Sequence, residues 1–288
     1  MLTDTHAHLD YPDYEPDLPA VLQRAQEAGV TRILTIGTSL ESSHRAVALA
    51  EKHPSIYAVI GVHPTSALEA EEDVITPLRE LAKSPRVVAI GETGIDYYRM
   101  PSQELLTSDK FEGSYTEALA TNPLAAEGAI RDGAYKSAQA ALFQEQLDLA
   151  AELGLNVVIH QRAAWDETLE ILKPYTGKLR AVFHCFGNSF EQAQELFRLN
   201  HMVSFTGIIT FKNAALVRET ATRAPGDSFM VETDCPYLAP VPFRGKRCEP
   251  AHTRLVAETI ANLRGQSLEE IAALTTRNAD GFFRFQGR

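Results

Sequence analysis

The chain has 288 residues, 44% of them hydrophobic, enough to fill the core of one large domain. Its 27 Lys and Arg against 38 Asp and Glu give a net charge of −11, which opposes non-specific binding to polyanions, so any nucleic-acid substrate has to be handled by local charge and metal. No apolar run reaches the roughly 20 residues of a membrane span, and Met1-Leu2-Thr3-Asp4 lacks the basic and apolar parts of a signal peptide. With three cysteines and no C-x-x-C spacing, reduced thiols and a cytoplasmic, monomeric protein are the expectation.

In chain order, eight short runs rich in β-branched residues read as strands: Met1–Thr5, Thr31–Gly37, Ile56–Val62, Val87–Ile90, Leu155–Ile159, Arg180–Phe183, Met202–Phe205 and Ser228–Glu232. Helical periodicity fills the gaps. Asp17–Ala28 sets Leu18, Val21, Leu22, Ala25 and Ala28 on one stripe and stops at Gly29. Ser137–Leu153 ends at Gly154, Ser189–Asn200 follows the sixth strand, and a helix from Asn213 ends before Pro225. Ala251–Arg264 ends at Gly265, and Ser267 with Glu270 fits a capping box for the last helix. Eight β-α units at this length predict a (β/α)8 TIM barrel, one domain over 1–288. Arg99–Lys136, with three glycines, two prolines and no sustained period, reads as an insertion after strand four, beside the active-site face.

Metal-binding residue types fall at the C-terminal ends of these strands, where barrel enzymes keep their chemistry. His6 and His8 form an H-x-H pair whose spacing of two turns both rings to one face of an extended chain. Glu92 ends strand four, His160 strand five and His184 strand six, and Asp234 follows strand eight. Any one of them alone would be an ordinary surface or structural residue. Together, four imidazoles and two carboxylates exceed what one tetrahedral ion can use, which predicts two divalent ions, zinc, magnesium or manganese, sharing a bridging carboxylate. His63 ends strand three and is expected to contact substrate, whereas His44, His53, His201 and His252 read as surface residues. Cys185 and Cys235 follow proposed ligands and are expected to point away from them.

The segments Asp4-Thr5-His6-Ala7-His8-Leu9-Asp10, Gly61-Val62-His63-Pro64, Gly91 through Arg99, His184-Cys185-Phe186 and Glu232 through Arg247 resemble the TatD-type deoxyribonucleases, over nearly the whole chain. The resemblance implies a metal-dependent nuclease on a barrel, often trimming DNA from a 3′ end, with His6, His8, Glu92, His160, His184 and Asp234 at the family's metal-site positions. The sequence departs from the family pattern at Ala163, where Asp is usual, and at Cys235 and Cys248, where Ser and Asn are usual. The Arg99–Lys136 segment is also longer than the family's connection.

Phosphodiester hydrolysis needs a nucleophile, charge neutralisation and leaving-group stabilisation, which two ions supply. Glu92 is then the bridge, Asp234 a ligand that prepares the water, and Arg162, Arg244, Lys246 and Arg247 the phosphate contacts. The DNA substrate would be single-stranded or a 3′ end, with no membrane or obligate protein partner. The competing expectation is hydrolysis of a carboxyl-derived bond, as by a D-aminoacyl-tRNA deacylase, an amidase or a lactonase. Retention of every ligand argues against a barrel that only binds.

Overall fold

The eight predicted strands form one parallel sheet in the order β1 to β8, and a computed structural model describes residues 1–102 and 123–285 of it. The strands are β1 (Leu2–Ala7), β2 (Val30–Ile36), β3 (Ile56–Ile60), β4 (Val87–Asp96), β5 (Asn156–Arg162), β6 (Ala181–Phe183), β7 (Met202–Phe205) and β8 (Phe229–Val231). The helices of the described residues, numbered here in chain order, are α1 (Leu18–Glu27), α2 (Leu40–Lys52), α3 (Ile75–Leu81), α4 (Pro123–Leu153), α5 (Trp165–Leu172), α6 (Phe190–Arg198), α7 (Ala215–Arg223), α8 (Thr253–Arg264) and α9 (Leu268–Phe283). Closure between the first and last strands uses backbone bonds from Asp234 N to the His6 carbonyl (2.9 Å) and from His8 N to the Cys235 carbonyl (2.8 Å). The fold is a (β/α)8 barrel.

Side chains on a strand alternate between faces, so each strand feeds two apolar layers. Ile33, Val157, Ala181 and Val231 belong to the layer beneath the helices. Leu34, Ile36, Val158, Val182 and Met230 fill the other, together with Phe282 and Phe283 from the end of α9. Asn156 fixes that end of α9, donating to the Phe282 carbonyl at 2.7 Å. Continuing the same parity beyond Val158, Val182 and Met230 gives His160, His184 and Glu232. The ionisable layer is thus the polar continuation of the barrel interior.

Two boundaries differ most from the sequence reading, and β1 and β5 also run on to Ala7 and Arg162, so that His6 and His160 lie within their strands. β4 runs on to Asp96, with a register shift against β5 between Ile90 and Thr93 that carries Glu92 within the strand rather than at its end. Gly91 (φ 143°) and Gly94 (φ 135°) permit it, since a Cβ on either would collide with the β5 backbone at Val158 or His160. α4 starts at Pro123 rather than Ser137, because the interior glycines that blur its period lower helix propensity by only about 1 kcal/mol each and do not end the helix. The remainder of the expected insertion, 103–122, lies outside the described residues. The Ser267–Glu270 capping box forms as expected, and none of the described helices is long and apolar enough to cross a membrane.

Candidate metal centre

Glu92 is the hub of the ionisable layer, and its two oxygens face different partners. Oε1 lies 2.7 Å from His184 Nε2, 2.9 Å from His160 Nδ1 and 3.6 Å from His63 Nε2. Oε2 lies 3.4 Å from His6 Nε2 and 3.8 Å from His8 Nε2. Asp234 Oδ1 completes the second group, 3.5 Å from His8 Nε2 and 3.7 Å from His6 Nε2. The structure therefore brings all six predicted ligands together. It also places His63, expected to contact substrate, in the cleft lining beside Glu92.

These residues fit divalent metal. Four ligands about 2.1 Å from a tetrahedral ion are about 3.4 Å apart, close to the separations around Glu92 Oε2 and Asp234 Oδ1. His6 Nε2, the ring nitrogen that faces Glu92 and Asp234, is buried with no hydrogen-bond partner, as a lone pair reserved for a metal ion would be. Three overlapping groups offer convergent donors: His6, Glu92 and His184; His6, His8 and Asp234; His63, Glu92 and His160. The outer ring nitrogens are also aimed. His8 Nδ1 donates to the Ile36 carbonyl at 3.2 Å, which leaves Nε2 facing the carboxylates, and His160 Nε2 donates to Asp96 Oδ2 at 3.0 Å, which leaves Nδ1 facing Glu92.

The electrostatics follow from burial opposed by close opposite charge. Burial would lower His8, but the Asp234 hydrogen bond and the Glu92 charge hold it up at about 9; for His160 the same opposition, from Asp96 and Glu92, gives about 9. Glu92 would be raised by burial, yet the charges of His184, His63 and His6 bring it well below the ordinary range. Asp234 is likewise lowered against burial, chiefly by His8. Burial wins at His63, which falls to about 4.

Three carboxylates beside this group were not foreseen. Asp96 orients His160, and its signal was available: it lies four residues beyond Glu92, on the same face of an extended strand. Glu232 accepts from Cys185 N at 2.7 Å and from Thr5 Oγ1 at 3.2 Å. Asp4 is fully buried and accepts from Thr233 N (2.9 Å) and Thr233 Oγ1 (2.6 Å), tying β1 to the Asp234 turn; burial pushes it up to about 7 against those bonds. The last two are readable only once barrel closure brings the ends of β1, β6 and β8 together.

A cleft of about 670 Å³ opens above the ligands, lined in part by Tyr11, His63, Arg99, Arg162 and Tyr237. Arg162 lies 3.5 Å from the Tyr98 ring centroid, within reach of a substrate. Arg244 and Lys246 are exposed and outside this lining, Arg244 lying over Phe211. Arg247 differs from the expectation: Asp17 holds it with two bonds of 2.9 and 2.8 Å and Glu249 with one of 2.9 Å, so it anchors its loop to α1. The surface expectation also fails at two histidines. His201 is buried and accepts from Ala181 N at 3.1 Å, meeting a backbone donor at the start of β6. His252 is half-buried, stacked on Phe243 and accepting from Glu249 N. Cys185 and Cys235 do point away from the ligands, toward Thr206 and into the core, although Cys185 and Asp234 have left-handed rather than extended backbone.

A barrel whose interior ends in convergent imidazoles and carboxylates defines a metal-dependent hydrolase. The family described as TatD related DNase matches residues 3–284, and the chain belongs to it. It is 38% identical over 285 residues to an uncharacterized metal-dependent hydrolase, YabD, of Bacillus subtilis, covering 99% of both chains. It is 33% identical over 287 residues to the 3'-5' ssDNA/RNA exonuclease TatD of Erwinia tasmaniensis, covering 97% of this chain and 98% of that one. The crystal structure of YJJV, a TatD homologue from Escherichia coli, superposes with a TM-score of 0.82 at 29% identity and 98% coverage of both.

Proposed function

We propose that this chain hydrolyses phosphodiester bonds of nucleic acid, trimming single-stranded DNA from its 3′ end, with divalent metal that Glu92 and the histidines around it would hold. The observation that carries the reading is the division of Glu92: one oxygen faces His6 and His8, the other His63, His160 and His184. The relatives named as 3'-5' ssDNA/RNA exonucleases support the choice of bond.

His6, His8, Glu92 and Asp234 would hold one ion, and His160 and His184 with Glu92 the other, with zinc, magnesium and manganese as the candidates. The ions, when bound, would supply positive charge to the phosphoryl oxygens and lower the pKa of an attacking water. Asp234 is held ionised against burial by its hydrogen bond to His8 and lines the cleft, where its carboxylate would accept a proton from an attacking water. Asp96 keeps His160 in the tautomer that presents Nδ1 inward. Arg162, with its guanidinium at the cleft wall, holds non-bridging phosphate oxygens. His63 lines the cleft with its Nε2 3.6 Å from Glu92 Oε1 and positions substrate beside Glu92.

The test is purified protein stripped and reloaded separately with zinc, magnesium or manganese, given 5′-labelled single-stranded DNA, duplex DNA, RNA and D-aminoacyl-tRNA. Stepwise metal-dependent shortening of single strands from the 3′ end is expected. Deacylation of the tRNA with every oligonucleotide left intact would overturn the proposal.

A further inference from the structure

Tyr237 belongs to the Glu232–Arg247 motif, and the chemistry above leaves it unused. Its backbone N–H donates to the Asp234 carbonyl at 3.0 Å, which ties the ring to the turn that carries Asp234. The ring lines the cleft and is 55% exposed. Tyr11 meets it edge to face, with centroids 6.4 Å apart and planes at 77°, while Tyr11 itself stacks on His8 at 4.7 Å and 19°. An aromatic layer therefore runs from a ligand imidazole to an open ring face. Across the barrel, at the end of β5, Arg162 supplies the cationic wall. A protein of net charge −11 gains little long-range attraction for a polyanion, whereas stacking on a base is independent of charge and tolerant of sequence.

From this geometry we infer that the exposed face of Tyr237, buttressed by Tyr11, stacks the base of a nucleotide flanking the scissile phosphate. A base so held has left its duplex stack, which makes the site selective for unpaired ends. The inference rests on the nucleic-acid reading above and deepens it by assigning a base-binding position.

The experiment compares the metal-loaded parental enzyme with Tyr237→Ala and Tyr237→Phe on 5′-labelled single-stranded DNA, and on the same strand with an abasic residue at the 3′-terminal or penultimate position. Tyr237→Ala is expected to lower kcat/KM on the intact strand by about five- to a hundred-fold, mainly through KM, while Tyr237→Phe stays near parental. With the base removed from the stacked position, the parental enzyme should fall by a similar factor and Tyr237→Ala should lose nothing more. Equal losses on intact and abasic strands, or no loss on either, would overturn the stacking position alone. A parental enzyme that cleaves no oligonucleotide would overturn the nuclease reading with it.

Discussion

Asp234 and Asp96 are both carboxylates beside an imidazole, and their surroundings assign them different work. Asp234 sits on left-handed backbone (φ 58°) at the cleft, held ionised by His8, so Asp234→Asn keeps the shape and removes the proton acceptor. A fall in kcat of about 10²-fold is expected, with metal content by elemental analysis retained; a metal-loaded Asn variant near the parental rate would refute the role. Asp96 makes its contact with the far nitrogen of His160. Asp96→Ala should weaken metal affinity by about 10- to 100-fold in a competition titration, and Asp96→Asn, which still offers an acceptor, should recover part of it. Unchanged affinity in the Ala variant would mean that the ring is oriented by packing alone.

At the scale of elements, α4 holds the irregular ends of β3 and β4 in place. Gln139 and Gln146, two helical turns apart and fully buried, each read a strand end by its backbone. Gln139 accepts from Asp96 N (2.8 Å) and donates to the Asp96 carbonyl (3.0 Å). Gln146 accepts from Val62 N (2.9 Å) and donates to the Val62 carbonyl (3.0 Å) and Thr93 Oγ1 (2.8 Å). These bonds flank His63 on one strand and Glu92 on the other. Gln146→Leu leaves the buried Val62 N–H and carbonyl unpaired at about 1–3 kcal/mol each, so a loss of about 2–6 kcal/mol is expected from urea unfolding. An unmoved midpoint would show that the strand ends hold their shape without the helix.

Across the whole molecule, metal and protons compete for one site, and the sign of the pH dependence follows from which way each group is shifted. His8 and His160 are raised to about 9, so in metal-free protein their charged pairing with Asp234, Asp96 and Glu92 stabilises fully below about 6.5 and is lost as pH rises through 9. His63, lowered to about 4, and Asp4, raised to about 7, change charge at or below about pH 7 and leave the interval from 7 to 9 to the raised imidazoles. The Tm of chelator-treated protein should therefore decline from pH 7 to 9. Metal-loaded protein should hold or gain, since each ion displaces protons from its ligands. Parallel pH profiles with and without metal would contradict this linkage.

The sequence by itself determined the eight strands, most of the helix ends and the six convergent residues, because these depend on local rules: alternation of period two, helix stop signals, and chemistry placed at strand ends. His6 and His8 could be assigned to one face from their spacing alone. Tertiary structure decided whatever depends on a neighbour distant in the chain. Burial of Asp4 and Glu232 beneath the ligands and the grip of Gln139 and Gln146 on two strand ends required barrel closure and helix packing. Arg247 looked like its neighbours Arg244 and Lys246 in the motif, but packing set Asp17 and Glu249 against it and tied it to α1. A long-range ion pair has no periodicity to read; its partner is fixed only when the elements that carry both charges have packed.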